Sequence, residues 1–597
     1  MKKLLLALVA IAALFTVIGC GGGVDANTMN WNIGADPKTL DPGLNGASDG
    51  GDVINNTFEG LVREKDGVVY PGMAESWTVS TDGMTYTFNI REDAKWSDGT
   101  QLTADDFVRS WLRGMDPRNA SEYSWIWDYT NVEGASEFVN GTPQYYDYNE
   151  ETEEYDILKS EYANWTEAQM ETNTNDVLDA LAAEVGIKSL EEGAKFEVKL
   201  TAPTNWFVSL MAFYHFMPVP ASATIDGEGA WAKDPAKAIS NGPFHLTSYE
   251  VGNQLVLEKN EYYWNEKEVG IMKINGFFID LQTTAYARYY AGELDVLADV
   301  PSDLIPNLSV TSDEFYSYPL LGTYYANFNL SGTEIGGTRD IGDRDVTVFS
   351  NKNLRYALTL SIDRQALVEA VGTGAIPAAG FIPPGFLDHN EEDFYENSKN
   401  DSEIVVDDGA YELAVTYFEA AADELYPDSA TPVEDLRAEL SSKVYLYNTS
   451  EAHAQVGVLI QEMWSENLGF EIELGNEEWA TFQDTRTDGA FDISRGGWLT
   501  DFMDPSGMIG IFTQGNAYND PDYFNQDFED ALKDARDATT AQAHFEALYE
   551  AHQIFMEDMP IIPIYHYNDV LMVSSKIEGW SRSVLGSIDF SSAKIVG

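Results

Sequence analysis

The sequence predicts an α/β protein built from several domains, and three observations predict it. The chain is 597 residues long, several times the roughly 100–200 residues of one domain. Its hydrophobic content of 44% and aromatic content of 13% supply large cores and exclude wholesale disorder. Short β-rich runs alternate with amphipathic helical patterns along the body, which is the signature of mixed α/β layers. No internal repeat of about 20–50 residues interrupts that alternation.

The first segment is an address rather than a fold. Met1-Lys2-Lys3 is a short basic start, and residues 4–16 are apolar except for Thr16. That run is far short of the ~20 residues a membrane-spanning helix needs, and it reads as the apolar region of a signal peptide. Val17-Ile18-Gly19-Cys20 follows and resembles a bacterial lipobox, in which the Cys becomes the lipidated first residue of the mature protein. Residues 1–19 are therefore expected to be a lipoprotein signal peptide, and residues 20–28 a lipidated tether. Cys20 is the chain's single cysteine. The mature body thus has no intramolecular disulfide, no cysteine zinc site and no thiol nucleophile. No second long apolar run follows, so the rest is expected outside the cytoplasmic membrane, held there by its lipid.

Strands are predicted next. Residues 85–90 alternate like a half-buried strand, and residues 255–258 and 274–279 also read as strands. A helix is predicted over 353–361. A second follows at once, with Asp363 as N-cap, Leu367, Val368 and Val371 apolar, and Gly372 as its stop. A third begins near Ser450. Val456, Leu459, Ile460, Met463 and Trp464 repeat at helical spacing, and Gly469 ends it. A fourth spans about 541–556, with Phe545, Leu548, His552, Phe555 and Met556 on one side. Residues 144–161 break the pattern with seven acids, one Lys and four Tyr. They read as a surface insertion or a partly disordered loop.

Charge excludes some partners. Lys+Arg number 35 and Asp+Glu 99, a net charge of −64. A polyanion would be repelled, so nucleic acid is excluded as a partner. The acidity reads either as a solvated, solubilising surface or as adaptation to high salt, where screening removes most of the self-repulsion.

Enzyme signals are absent. There is no G-x-x-x-x-G-K-[ST], no strand-to-helix G-x-G-x-x-G and no H-E-x-x-H. His544 and His552 share one predicted helix, but eight residues apart they fit packing or a solvated face rather than a metal. Gly46-Ala47-Ser48-Asp49-Gly50 matches G-x-S-x-G. A nucleophile elbow needs a strand before it and a helix after it, and Asp41-Pro42-Gly43 ahead and Gly51 behind read as loop. With so many carboxylates, proximity of any two carries no catalytic meaning. No cofactor is expected.

A series of short stretches carries a resemblance. In order they are Thr39-Leu40-Asp41-Pro42, Phe58-Glu59-Gly60-Leu61-Val62, Pro71 to Trp77, Ala94-Lys95-Trp96-Ser97-Asp98-Gly99-Thr100 and Asp105 to Trp111. Ser240-Asn241-Gly242-Pro243-Phe244, Tyr262-Tyr263-Trp264-Asn265, Leu354 to Leu358 and Ile362-Asp363-Arg364 continue the series. Gly497-Trp498-Leu499-Thr500-Asp501 and Pro560 to Tyr565 close it. Nearly the whole mature chain thus resembles the bacterial extracellular solute-binding proteins of family 5, the oligopeptide-binding lipoproteins of peptide ABC transporters. The resemblance implies an α/β fold of two lobes, the type II, cluster C periplasmic-binding-protein clamp with an extra subdomain. Ligand is then enclosed between the lobes by hinge closure. It places the first lobe at 29–70, 205–319 and 568–597, the extra subdomain at 71–204 and the second lobe at 320–567.

Binding a peptide of any sequence requires a buried carboxylate for its ammonium, a strand edge for its amides, and a cation or His for its carboxylate. By resemblance Asp501 is the ammonium anchor; as a residue it also fits a turn ahead of Asp504-Pro505. Gly496 and Gly497 would admit ligand backbone, or form an ordinary bulge. Arg495 and Arg486 match cleft arginines that reach ligand carboxylates, or else make structural ion pairs. His453, on the inward face with Val456 and Ile460, assists carboxylate binding or is a satisfied core residue. Trp479 and Trp498 match pocket walls and Tyr567 a cleft tyrosine, with Tyr123 on the subdomain side; each equally fits a core. Residues 371–375 lack the lysine that some relatives carry there, so ligand length is not carried over.

The expected function is an extracytoplasmic receptor that captures oligopeptides and delivers them to an ABC importer, without catalysis. The expected partners are an oligopeptide, the membrane permease and, through the anchor, the membrane, with the receptor a monomer. The same fold with a dipeptide, nickel chelate, haem or oligosaccharide is the alternative, and a secreted hydrolase is a remote one. A neutral sugar has no ammonium for Asp501 to meet, and no nucleophile–base motif serves a hydrolase.

Overall fold

The structure is a computed structural model. It describes residues 27–596, apart from 66–67, 150–153, 205, 226–228, 299, 332–346 and 400–408. The lipobox and Cys20 lie outside the described residues.

A single 11-stranded sheet organises most of the chain. Its first part runs Phe244–Glu250, Gln254–Lys259, Lys273–Phe277, Thr28–Asn32 and Val296–Leu297 in spatial order. Thr28–Asn32 lies parallel to both Lys273–Phe277 and Val296–Leu297. Helix Gln282–Tyr290 makes the crossover between those two strands. The second part is built the same way. Val444–Asn448 lies parallel to Glu473–Glu477 and to the start of Ile493–Leu499, with helices Glu451–Leu468 and Trp479–Thr487 as crossovers. Parallel strands need such crossovers, so both parts are α/β.

Two long antiparallel strands, Phe315–Phe328 and Ile561–Val573, join these parts. Their first stretch pairs Phe315–Pro319 with Asn568–Met572, and their second pairs Thr323–Asn327 with Ile561–His566. The register shifts between Pro319 and Thr323. A separate antiparallel sheet of four strands, Ala74–Val79, Thr85–Ile90, Lys195–Lys199 and Ile187–Leu190, carries helix Ala104–Met115. Thr103 and Asp106 close that helix's N-terminus as a capping box, and Trp111 packs edge-on to Phe196 at 4.8 Å.

The helices follow their sequence signals. Lys352–Leu360 is capped by Asn351 and Arg364–Val371 by Asp363, each side chain accepting a backbone N–H. Gly372 and Gly469 end their helices in the left-handed conformation, at φ 70° and 79°. In Glu451–Leu468 the residues Val456, Ile460, Trp464 and Leu468 are buried, and the Trp464 indole donates to Leu358 O at 3.0 Å. His544 and His552 are both buried in helix Ala541–Asp558. His544 bonds Asp504 through Nε2 at 3.0 Å and Ala535 O through Nδ1 at 2.8 Å, so it serves packing.

Two readings are sharpened. Within residues 144–161, Tyr146–Asn149 and Glu154–Leu158 pair as two antiparallel strands, which fits the surface insertion and not the loop alternative. Tyr145 at its base is buried and donates to Met170 O at 2.8 Å, which ties the hairpin to helix Glu167–Ala182. An aromatic with a polar tip can anchor even an acidic insertion. The G-x-S-x-G segment is loop only as far as Ala47, because Ser48 opens helix Ser48–Thr57. No described strand leads into it, so the geometry of a nucleophile elbow is not met.

Arg355 holds one corner of the second part. It is 1% exposed and donates to the carbonyls of Phe349 (2.7 Å), Ser350 (2.8 Å), Asp558 (2.7 Å) and Met559 (3.1 Å). Burial lowers its pKa to about 10. These carbonyls lie at segment ends with no ladder partner, and the fork-shaped guanidinium satisfies several at once. Arg355→Met keeps the volume and removes every donor. It is expected to lower unfolding free energy by at least ~3 kcal/mol, since each orphaned buried carbonyl costs ~1–3 kcal/mol. Urea denaturation of wild type and variant measures it.

Candidate functional site

A cavity of about 540 Å³ lies where the two long strands, strand Ile493–Leu499, helix Ser48–Thr57 and the segment around Tyr123 converge. Nine of the ten residues singled out from the sequence line it, Tyr123, His453, Trp479, Arg486, Arg495, Gly497, Trp498, Asp501 and Tyr567, and Gly496 does not. They come from distant parts of the chain, so the tertiary fold brings them together.

Strand Ile493–Leu499 is the spine of the site. One edge pairs in unbroken register with Gly322–Phe328. The other edge pairs with Tyr445 and Leu446 only through Ile493 and Ser494. From Arg495 to Leu499 that second edge meets no described strand. The absence of a register shift also rules out the bulge reading of Gly496 and Gly497. Both glycines are required by close approach. A Cβ on Gly496 would lie 2.3 Å from the Tyr325 ring, and one on Gly497 would lie 2.2 Å from Tyr567 Oη.

Asp501 follows the strand. It is 7% exposed, and its Oδ1 accepts from Tyr123 Oη at 3.2 Å. Its Oδ2 is buried without a hydrogen-bond partner, and no cation lies within ion-pair distance among the described residues. Burial drives its carboxyl well above the ordinary carboxylate range, and the Tyr123 bond opposes that only weakly. Aromatic rings wall it in. Trp498 packs 4.8 Å from Tyr518 and stacks on Tyr123 at 6.3 Å, while its indole donates to Gly507 O at 2.8 Å. Tyr518 is a wall residue that no local sequence signal marks.

Arg495 is the complementary pole. Its Nη2 donates to Tyr567 Oη at 3.3 Å, and its guanidinium lies 5.3 Å from the centre of the Tyr324 ring. Its Nε is buried without a partner, and no carboxylate pairs with it among the described residues. His453 stands beside it with an unpartnered Nδ1 and its ring 5.5 Å from Tyr324. Burial, then the Arg495 charge, holds the imidazole well below its usual pKa and so neutral near pH 7. The satisfied-core reading of His453 is therefore not met. Arg486 behaves differently: it pairs with buried Asp520 at 3.4 Å, the structural ion pair weighed above. Trp479 is half-buried and stacks on Phe482 at 6.2 Å.

The far wall was not legible in the sequence. Arg63 bonds Glu59 at 3.1 Å and Asp589 at 2.9 Å, and Arg582 bonds Asp569 at 2.7 Å and Asp52 at 3.5 Å. Asp49 and Asp52 share the face of helix Ser48–Thr57 that lines the cavity, and burial pushes each carboxyl up to about 6. Their helical spacing, three apart in a Gly-rich run, was the one available signal. Among the described residues, no group of three or more His, Cys, Asp or Glu is arranged to hold a metal.

Comparison with known proteins places this geometry. The family model for bacterial extracellular solute-binding proteins, family 5 Middle, matches residues 68–520. The oligopeptide-binding protein OppA of Bacillus subtilis is 31% identical over 98% of both chains. The periplasmic murein peptide-binding protein MppA of Escherichia coli is 29% identical over 92% of this chain and 89% of its own. Among solved structures, Haemophilus influenzae OppA in complex with RPPGFSPFR has a TM-score of 0.76 at 26% identity, covering 96% of this chain and 99% of that one. The structure of Escherichia coli MppA also gives 0.76, whereas the unliganded open form of that protein gives 0.57. The two parts thus stand in an arrangement away from that open form. With the two-lobed α/β fold, the cleft between its parts and a family match over most of its length, this chain belongs to the bacterial extracellular solute-binding proteins of family 5.

Proposed function

We propose that this protein is an extracytoplasmic receptor that captures oligopeptides and delivers them to an ABC importer. One observation carries the reading: among the described residues, a strand edge without a partner, Arg495–Leu499, leads directly to a buried carboxylate without a cation. A peptide supplies what is missing at both points. Its amides extend the sheet through main-chain bonds, independent of its sequence. Its α-ammonium neutralises Asp501, and its carboxylate meets the unpaired Arg495 with neutral His453 as a hydrogen-bonding neighbour. The peptide named in the OppA complex and the names of the most similar relatives support the same class of ligand.

In this reading residues 29–70, 205–319 and 568–597 form one lobe, 320–567 the other and 71–204 the extra subdomain. The register shift at Pro319–Thr323, opposite His566–Asn568, supports a hinge between the lobes. Cys20 carries the lipid that holds the receptor at the outer side of the cytoplasmic membrane. The lipobox supports that placement, and no described helix is long and apolar enough to cross a membrane.

Two experiments test the proposal. Removing the ammonium or Asp501 leaves the other charge buried and uncompensated, at ~3–5 kcal/mol. That is roughly two to three orders of magnitude in dissociation constant. Asp501→Ala and Asp501→Asn are both expected to lose binding by that factor, and N-acetylation of the peptide is expected to do the same to wild type. Calorimetric titration measures all three, and equal affinity for free and acetylated peptide would sink the anchor role. Separately, Cys20→Ser is expected to move the exported protein from the membrane to the soluble fraction, as read by cell fractionation. A processed variant that stays with the membrane would remove the anchor.

A further inference from the structure

Two crossover helices, one from each part of the sheet, meet at their N-terminal ends. Helix Gln282–Tyr290 belongs to the first part and helix Glu451–Leu468 to the second. Glu451 accepts the Thr283 N–H through Oε2 at 3.3 Å and the Thr283 hydroxyl through Oε1 at 3.1 Å. The first helix has no means of its own to close that end. The leading N–H groups of a helix find no partner inside it. Leu281, at the N-cap, offers no side-chain acceptor, and the first turn holds no acid. Glu451 supplies both from the other part of the sheet. It is an acceptor for the N–H of the helix's second residue and a negative charge at the positive end of its dipole.

A second contact lies one turn further along the same face. Ser302, just beyond strand Val296–Leu297 of the first part, donates through Oγ to Gln455 Oε1 at 3.1 Å. Gln455 is oriented for this from its own side, because its Nε2 donates to Ala370 O at 3.2 Å in helix Arg364–Val371. Residues four apart on a helix share a face, and the residue midway between them points the opposite way. That residue is His453, which lines the cavity beside Arg495. One helical turn therefore touches the ligand cavity on one side and the opposite part of the sheet on the other. Parting the two halves would uncap helix Gln282–Tyr290 and break the Ser302 bond. Neither contact uses a group that a peptide meets in the proposed mode.

We propose that Glu451 and Gln455 are positioning residues that latch the cleft shut over a bound peptide, so they set how long the peptide stays rather than how fast it is caught. The inference rests on the peptide reading above and deepens it. Capture takes place with the cleft open, before Glu451 reaches Thr283, and release requires the latch to part. A peptide carboxylate that settles on Arg495 and His453 steadies the same helical turn, which holds Glu451 and Gln455 toward their partners.

The test separates the two rates. Calorimetric titration gives the affinity, rapid filtration of tritiated peptide chased with unlabelled peptide gives the dissociation rate, and their quotient gives the association rate. The probes are trialanine, tetraalanine and the nonapeptide RPPGFSPFR, and the rates are taken with the one that binds wild type most tightly. Glu451→Ala/Gln455→Ala removes the latch from one side, and Thr283→Val/Ser302→Ala removes it from the other. Each pair is expected to raise the dissociation rate at least about fivefold, the size of a lost helix cap, and to leave the association rate within about twofold. All four substitutions together are expected to add little to the larger pair effect, because both pairs break the same contacts. An unchanged dissociation rate in either pair overturns the inference and leaves the peptide reading intact. So does a loss carried by the association rate, or two pair effects that multiply in the combined variant. If no probe binds wild type, the peptide reading fails and takes this inference with it. Thr283→Val/Ser302→Ala leaves helix Glu451–Leu468 unaltered, so it decides even if the other pair does not fold.

Discussion

The ladder between Phe315–Phe328 and Ile561–Val573 is the constraint on which the rest of this structure depends. Each half of the sheet is an α/β layer with its own crossovers. The long strands make the two layers one sheet and let them share a cleft. They also fix what reaches that cleft. Thr323–Asn327 holds strand Ile493–Leu499 in register, and that strand carries Arg495 and Gly497 toward the cavity and ends next to Asp501. A register slip of one residue would turn those side chains to the opposite face.

The candidate site leaves charges incomplete. Elsewhere among the described residues, buried ions are satisfied within the fold. Arg113 and Asp41 pair at 2.7 Å, and Arg355 is surrounded by carbonyls. Asp501, which is buried, and Arg495, which is half-buried, are exceptions in the same cavity, each without an ionic partner among the described residues. An unpaired ion shut away from water is costly, and in the proposed binding mode a zwitterionic peptide would pair both groups. The glycines of the spine serve the same end. Tyr325 and Tyr567 press on Gly496 and Gly497 so closely that a Cβ has no room, which keeps the exposed edge of the strand bare.

Much of the candidate site was legible because its residues cluster locally. Asp501, Trp498, Gly497, Arg495 and Arg486 fall within sixteen residues of one another, counting both ends, and the resemblance implies their roles in one short stretch. His453 was legible through the helical face it shares with Val456 and Ile460. Arg486 shows the limit. Its type and place suit a ligand carboxylate, yet Asp520 is there to take it, and no local pattern links those two positions. The far wall of Asp52, Arg63, Asp569 and Arg582 was illegible for the same reason, since its members come from four separate segments.

The sequence by itself determined the α/β class, the helix boundaries at Asp363, Gly372 and Gly469, the acidity and the family. Caps, periodicity and short motifs are local, and local chemistry is written in consecutive residues. Tertiary structure alone decided which charges are paired and which are left waiting. In a chain with 99 acids and 35 bases, composition guarantees that most carboxylates lack a base. Only the fold determines which of them are also denied water, because burial and proximity depend on residues hundreds of positions apart. That is why the resemblance could name Asp501, while the lack of a cation beside it among the described residues and the open strand edge before it had to be seen in three dimensions.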